Sequence, residues 1–352
     1  MNNILVTGGC GFIGSHTALC LLEKGYVVYI IDSEVNSSFK VIDRLKKYFR
    51  KKGIDISKNL NFFKGDLRNI QDIERVFLNA SKKGNDINGV IHFAGLKSVN
   101  ESVREPLRYW DYNLLGTINL TRIMKKYFCN NFIFSSSATI YANLDNSLLN
   151  ENCEIKPINP YGKTKATIES FLEDIHNSQP TKWKIINLRY FNPIGAHESG
   201  LIGESPVGMP NNIFPLILKV ASKNLKELKI YGKDWNTRDG TCIRDYIHVM
   251  DLAEGHVSAL NYLNKKDVIF DNFNIGTGIG TTVLELINVF EEVNNVNLPY
   301  SFASRRMGDQ ENVVADNSKI KSFLRWRAKK TIIDMCRDGW AWQASNPNGY
   351  FD

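Results

Sequence analysis

The sequence predicts an α/β fold built on a doubly wound, mostly parallel sheet. Three observations lead there. Short apolar runs alternate with amphipathic stretches of helix length, a G-x-x-G-x-x-G loop follows the first run, and an acidic residue ends the second. The 352 residues allow one large domain or two modest ones, and 43% apolar with 23% charged residues suits a packed core rather than disorder.

Asn3-Ile4-Leu5-Val6-Thr7 reads as the first strand and runs into Gly8-Gly9-Cys10-Gly11-Phe12-Ile13-Gly14, followed by a helical Ser15 to Lys24. Strand, glycine turn and helix in this order form a dinucleotide-binding unit. Gly8 permits the tight turn, Gly11 lets backbone approach a pyrophosphate at the helix N-terminus, and Gly14 lets helix and strand pack closely. Tyr26 to Ile31 is the second strand and ends in Asp32. A carboxylate there accepts hydrogen bonds from an adenosine ribose and repels a 2′-phosphate, which favours NAD over NADP.

Lys40 to Lys52 holds seven basic residues and sets Val41, Leu45, Tyr48 and Phe49 on one side, the pattern of a helix with a solvated charged face; contact with an anionic partner is the alternative. Leu60 to Phe63 leads to Asp66-Leu67, and Gly89 to Phe93 leads to Ala94-Gly95-Leu96-Lys97, with helices expected over Ile70 to Ala80 and Pro106 to Tyr127. In a doubly wound sheet, ligands gather at the carboxyl ends of strands, where Asp66 and Lys97 fall. Each of these two, like Asn113 inside the long helix, is either a cofactor contact or a residue satisfied by local hydrogen bonds.

Phe132-Ile133-Phe134 then delivers Ser135-Ser136-Ser137-Ala138-Thr139 to the same rim. In Asn159-Pro160-Tyr161-Gly162-Lys163-Thr164-Lys165, a tyrosine and a lysine four residues apart share one face of a helix that Pro160 opens. The spacing makes Tyr161 a candidate proton acceptor; a surface helix that merely carries Y-x-x-x-K is the plainer reading of the motif alone. A phenol of pKa about 10 needs roughly 4 kcal/mol of differential stabilisation to act as a base near pH 7. A neighbouring ammonium and the helix N-terminus both favour the phenolate.

Other chemistries find no pattern. Cys10, Cys20, Cys129, Cys153, Cys242 and Cys336 are scattered without metal-ligand spacing, the six histidines are dispersed as structural or surface residues, and no metal site is expected. No apolar run approaches the roughly 18 to 20 residues of a membrane helix. The N-terminus starts on a strand rather than a secretion signal, so a cytoplasmic protein with reduced thiols is expected. A net charge of +7 without base-reading motifs does not point to nucleic acid.

From Met1 to about Leu188, the glycine loop with Ser137, Tyr161 and Lys165 resembles the extended short-chain dehydrogenase/reductase superfamily. Further on, the likeness narrows. Arg189-Tyr190-Phe191-Asn192-Pro193-Ile194-Gly195-Ala196, Pro210-Asn211-Asn212, the run Arg244 to Leu252, Arg305-Arg306-Met307-Gly308-Asp309 and Asn346-Pro347-Asn348-Gly349-Tyr350 look like the UDP-glucose 4-epimerase family, as do Phe93 to Lys97 and Phe134 to Thr139. This covers nearly the whole chain. It implies a Rossmann-like NAD domain over 1–189 and a smaller C-terminal α/β lobe for a UDP-sugar, mainly 190–352, with some segments returning to the first domain.

The resemblance implies cofactor contacts at Gly8, Gly11, Phe12, Ile13, Gly14, Asp32, Asn36, Asp66, Leu67, Phe93, Ala94, Gly95, Lys97, Asn113, Tyr161, Lys165, Tyr190 and Phe191. It implies substrate contacts at Ser137, Tyr161, Asn192, Asn212, Arg244, Arg306 and Asp309. Arginines suit a diphosphate, although an arginine in such a run is as often a surface salt-bridge partner. By the family chemistry, Tyr161 takes the 4′-hydroxyl proton while C4′ passes a hydride to NAD, the 4-keto sugar turns over, and both return to the other face. Ser137 bridges the sugar hydroxyl and Tyr161, and Lys165 holds ribose hydroxyls while lowering the tyrosine pKa.

At the position of Val313, four residues beyond Asp309, a bulky tyrosine goes in the family with rejecting UDP-N-acetylglucosamine and a small residue with accepting it, so tolerance of N-acetylated sugars is expected; a plain buried valine is the alternative. A homodimer through the helices Pro106 to Tyr127 and Pro160 to His176 is also implied, with Leu107, Tyr112 and Leu115 on the contact face. Cys10 replaces the family's usual serine, Ala142 its glycine after Thr-x-Tyr, and the Lys40 to Lys52 stretch is longer than its counterpart. Two rivals remain. A nucleotide-sugar 4,6-dehydratase would need Asp-Glu where this chain has Ala138-Thr139, and a non-catalytic NAD-sensing or RNA-binding relative would have no use for Ser137, Tyr161 and Lys165 together.

Overall fold

The computed structural model describes residues 2–142, 148–178, 183–208, 210–306 and 308–351. Its strands, in chain order, are β1 (Asn3–Thr7), β2 (Val27–Asp32), β3 (Leu60–Lys64), β4 (Gly89–His92), β5 (Asn131–Ser137), β6 (Lys184–Tyr190), β7 (Asn192–Ile194), β8 (Leu228–Tyr231), β9 (Ile243–His248), β10 (Ile269–Ile275), β11 (Gly280–Thr282), β12 (Tyr300–Ala303) and β13 (Asn312–Val313).

Ile4, Leu5 and Val6 are fully buried, so both faces of β1 are covered, as a central strand of a parallel sheet requires. Seven strands pair in the order β10-β6-β5-β4-β1-β2-β3, all parallel. The order reverses between β1 and β4, which opens the crevice where such sheets bind ligands. Helix Phe12–Glu23 and helix Val249–Asn264 pack on each other against one face. Helices Ile70–Lys82, Gly116–Lys126 and Pro160–Ser178 cover the other, with Ile73, Phe77, Leu120, Ile168 and Leu172 in one core. Val41, Ile42, Leu45, Tyr48 and Phe49 bury the apolar side of helix Lys40–Lys51 and leave its lysines outward.

As expected, the serine run closes a strand: Ser135, Ser136 and Ser137 end β5 in register with Leu188, Arg189 and Tyr190. One element differs from expectation. The long helix is three pieces, Pro106–Tyr109, a π-helical turn Trp110–Leu115 and Gly116–Lys126; the widened turn carries Asn113 inward, where it bonds the backbone of Leu96.

Past β6 the strands shorten. β9 pairs in parallel with β7 and β13 and antiparallel with β11, and β8 pairs with β12. Helices Ile213–Ala221, Val283–Asn294 and Ile332–Ser345 close over Phe214, Ile217, Leu286, Phe290 and Met335. Among the described residues, no helix is long and apolar enough to cross a membrane.

Candidate active site

The carboxyl ends of β1 to β6 wall a cleft lined by Gly8, Gly11, Phe12, Ile13, Gly14, Asp32, Asn36, Asp66, Leu67, Phe93, Ala94, Gly95, Lys97, Tyr161, Lys165 and Tyr190. At Gly8 the chain turns with φ +67°, and a Cβ there would stand 2.7 Å from the backbone nitrogen of Ala94 on β4's side of the switch point. A Cβ on Gly14 would meet the carbonyl of Gly8 at 2.4 Å, so helix and loop touch only because neither has a side chain. Gly11 is different: a Cβ would meet only the Gly8 carbonyl, at 3.2 Å. Packing does not demand glycine there, and its bareness leaves the first amides of helix Phe12–Glu23 open to the cleft.

Asp32 is 7% exposed and accepts from the backbone of Cys10 (2.9 Å) and Glu34 (2.9 Å) and from Ser37 Oγ (2.7 Å). Asp66 lines the cleft while pairing with Arg68, Nη2 to Oδ2 at 2.7 Å, so both readings of this residue meet in one side chain. Lys97 lines the cleft rim and pairs with Glu204 at 2.9 Å. Asn113 and Phe191 are not on this wall. Asn113 is 2% exposed and ties Leu96 (2.8 Å to its amide) to Thr164 (3.1 Å), so it acts from behind the cleft; Phe191 lines the neighbouring cavity. Val35 belongs to the wall without having been singled out in the sequence; Ser135 of the serine run is there too, and Tyr112, expected on a dimer contact face, instead lines this wall with the Arg68 guanidinium 3.6 Å from its ring centre.

Tyr161 stands in the first turn of helix Pro160–Ser178, where Asn159 Oδ1 accepts from the amide of Gly162 at 2.8 Å. A Cβ on Gly162 would lie 2.7 Å from the carbonyl of Thr139, so this glycine brings the tyrosine helix against the serine strand. Ser137 ends β5 opposite Tyr190, and its Oγ accepts from Thr139 Oγ1 at 2.9 Å. Burial raises the Tyr161 phenol, and Ser137 pulls it back. Burial pulls the Lys165 ammonium down to about 7 against the charge of Glu169, while its Nζ donates to the Ser135 carbonyl at 2.6 Å and lies 5.9 Å from the Tyr161 ring centre.

Beyond Ser137 a second cavity is lined by Phe191, Asn192, Asn212, Arg244, Arg306, Asp309 and Val313, together with Ala138, Thr139 and Asn211. Arg244 Nη1 donates to the carbonyls of Ile243 and Gln310, each at 2.8 Å, and Arg306 Nε pairs with Asp309 at 3.0 Å. Met307 of the Arg-Arg-Met-Gly-Asp run lies outside the described residues. The cavity continues into a slot that shares Asn192, Asn212, Arg244 and Arg306 and adds Leu216, Tyr231 and Val283. Those three were missed in the sequence, since each sits in an ordinary apolar run whose partners come from another part of the chain. The Arg306 guanidinium lies 4.7 Å from the Tyr231 ring centre. A cleft with a glycine loop and a helix N-terminus, a Tyr/Lys/Ser group and an arginine-bearing cavity thus come together, which suits redox chemistry on a phosphorylated polyol.

A family model described as GDP-mannose 4,6 dehydratase matches residues 5–339. Over 349 residues the chain is 49% identical to the bifunctional UDP-glucose 4-epimerase and UDP-xylose 4-epimerase 3 of Arabidopsis thaliana, covering 99% of this chain and 97% of that protein. It is 46% identical over 348 residues to the UDP-glucose 4-epimerase of Bacillus subtilis, covering 99% and 98%. The crystal structure of UDP-glucose 4-epimerase from Bifidobacterium longum in complex with NAD+ and UDP matches the fold with a TM-score of 0.91 at 44% identity, covering 99% of this chain and 100% of that one.

Proposed function

The chain belongs to the UDP-glucose 4-epimerase family, and we propose that it interconverts UDP-glucose and UDP-galactose by oxidising C4′ of the sugar and reducing the 4-keto sugar on its opposite face. The observation that carries this reading is the position of Tyr161, with Lys165 and Ser137, where the dinucleotide cleft opens toward the arginine-bearing cavity.

The residues present fit NAD. Gly11 leaves the helix amides bare for a pyrophosphate, and Asp32 offers a carboxylate at the end of β2 for an unphosphorylated ribose. Bound there, NAD supplies the two-electron acceptor and, in the second half of the cycle, the donor. Tyr161 as phenolate takes the proton of the 4′-hydroxyl and gives it back after the sugar has turned in the cavity. Burial alone holds the phenol protonated. Lys165, 5.9 Å from the ring centre, counters it. Ser137 bridges the sugar hydroxyl and the phenol. Arg244 and Arg306 neutralise the diphosphate, and Asn192 and Asn212 add hydrogen bonds.

A dehydratase would need an acid and a base to remove water from the sugar, and the two residues after Ser137 are Ala138 and Thr139, both on the cavity wall and both without a carboxylate. Finer points belong to the same proposal. The NAD domain is 1–189 and the substrate lobe mainly 190–352, with β10 back in the large sheet beside β6. The cavity accepts N-acetylated sugars, since Val313 rather than a large ring lines it. The chain pairs as a homodimer through the Pro106–Lys126 and Pro160–Ser178 region, where Leu107 is 83% exposed and Leu115 38%. All six cysteines are free thiols, five of them buried, which suits a reducing cytoplasm.

The test is direct. Purified protein given UDP-galactose and no added oxidant is expected to yield UDP-glucose, with a transient NADH absorbance on mixing. No interconversion with NAD supplied would sink the reading.

A further inference from the structure

One residue below Ser137 and Tyr190, three neighbouring strands carry polar side chains in one row. Ser136 of β5 is in register with Arg189 of β6, and Arg189 with Asn274 of β10. All three are buried. Arg189 Nε reaches both oxygens of Glu169 (3.1 and 3.2 Å) and Nη2 reaches Oε2 at 2.6 Å; Ser136 donates its hydroxyl to the same carboxylate. The other arm of the guanidinium, Nη1, donates to Tyr141 Oη (2.9 Å) and the Glu151 carbonyl (3.0 Å), and Tyr141 donates onward to Asn274 Oδ1 at 2.6 Å.

Stability does not account for this network. An apolar pair of similar volume usually serves a core as well as a buried ion pair or better. Its placement offers another account. Tyr161, Lys165 and Glu169 follow at four-residue intervals on one face of helix Pro160–Ser178. Ser135, whose carbonyl holds Lys165, is the neighbour of Ser136, whose hydroxyl holds Glu169. The titratable groups set against Lys165 are Tyr161 and Glu169 on its own helix and His92 from β4; Tyr190 of β6 shares the cleft wall, and Arg189 of β6 reaches Glu169. His92 is kept neutral by burial between Thr7 and Thr117, and burial likewise keeps Tyr190 a neutral phenol. Glu169 is therefore the anion in that set, and its charge favours the Lys165 ammonium.

We propose that Glu169 is a positioning residue for the reaction: clamped by Arg189 and Ser136, it supplies the fixed negative charge that keeps Lys165 an ammonium beneath Tyr161, and Arg189 limits how much of that charge Lys165 feels. The proposal rests on the reading of Tyr161 and Lys165 as the proton-handling pair. Because Lys165 must be charged, activity falls as pH rises through its titration; because Tyr161 must ionise, activity falls as pH drops.

The test is the pH profile of kcat with UDP-galactose for the NAD-loaded enzyme, beside Tm. Glu169→Gln keeps the shape and removes the charge, so its alkaline limb is expected about one pH unit lower, with about a tenfold loss of kcat on that limb. Glu169→Asp is expected to restore most of it. Arg189→Gln leaves the carboxylate unshared, so its limb is expected to move higher. Loosened packing lowers Tm in both but does not drive the limbs apart. Should Glu169→Gln not fold, the double variant E169Q/R189M leaves no charge unpaired and is expected to show the lowered limb. Limbs that stay in place, or that move together in the two single variants, overturn the proposal, whereas a wild type without interconversion would overturn the functional reading instead.

Discussion

The cleft at the ends of β1 to β6 is shaped by backbone, and the cavity beyond it is shaped by side chains. In the cleft, Gly8, Gly14 and Gly162 stand where any Cβ would strike a neighbouring main-chain atom, and the ion pair behind the tyrosine helix leaves 2% of Arg189 and 6% of Glu169 in contact with solvent. In the cavity, Arg306 and Asp309 are 40% and 18% exposed and pair with each other in the loop between β12 and β13, beside strands only two to six residues long. An exposed pair contributes about 0 to 1 kcal/mol, so Arg306 exchanges its carboxylate for a phosphate at little cost. The difference teaches that one half of the site is preorganised and the other is ready to change partners. Substitutions in the first should act on chemistry or on cofactor, and those in the second on substrate affinity.

The largest effect that would sharpen this contrast is at Tyr161. Tyr161→Phe removes the proton acceptor and little volume, so kcat is expected to fall by roughly 10² to 10⁴ while NAD remains bound. Steady-state turnover and the NAD content of the purified variant check both halves. Near-normal turnover would take Tyr161 out of the mechanism. Next comes Gly14→Ala. Its methyl would lie 2.4 Å from the Gly8 carbonyl, so loop and helix must separate. The expected outcome is NAD binding weakened at least tenfold with a lower Tm, read by cofactor titration. Unaltered binding would show the glycine loop to be softer than its contacts imply.

The parts of this site legible in the sequence are those set by residues close together in the chain. The glycine loop, Asp32 at the end of β2, and the Tyr161/Lys165 spacing each need only a strand, a turn or a helix to be in place, and short-range patterning reports all three. Asn113 was visible as a polar residue in a helix, but the π turn that points it at Leu96 depends on the packing of that helix against the cleft. Ser135 to Ser137 were legible as the end of a strand, but their register with β6 is a tertiary fact. Likewise Glu169 and Arg189 lie 20 residues apart on different elements and become a pair only when helix Pro160–Ser178 crosses β5 and β6. Tyr231, Leu216 and Val283 form a slot only after β8, β9 and their helices assemble, so no periodicity in the chain announces it.

On the cavity side, Arg306→Ala tests the exchange of partners. The guanidinium pairs with Asp309 before binding, so its loss removes a ligand for the diphosphate and leaves an uncompensated carboxylate on the cavity wall. A rise in KM of roughly tenfold to a hundredfold is expected, equivalent to about 1.4 to 2.7 kcal/mol, with kcat changed much less. A loss confined to kcat would mean that this arginine acts on the reacting carbon's side of the site and would break the division drawn above.

The effect confined to one class of substrate concerns which sugars enter. Val313 pairs in register with Arg244, lines the cavity near Asp309, and packs against the cluster of Ala138, Ile140, Tyr141, Leu149, Phe191 and Ala315. It is half-buried, so a side chain here faces both core and cavity. A tyrosine ring at this place has no room in the cluster and must extend into the cavity, where an acetamido group would meet it. Because β13 is only two residues long, the strand can give slightly, which keeps the penalty to about 1 to 3 kcal/mol, or about 5-fold to 150-fold. Val313→Tyr is therefore expected to lower kcat/KM for UDP-N-acetylgalactosamine by that factor and to change it for UDP-galactose by no more than a few-fold. Equal losses on both sugars would mean that the ring disturbs the cavity as a whole, and a wild type inactive on the acetylated sugar would leave Val313 as plain packing for the Phe191 cluster.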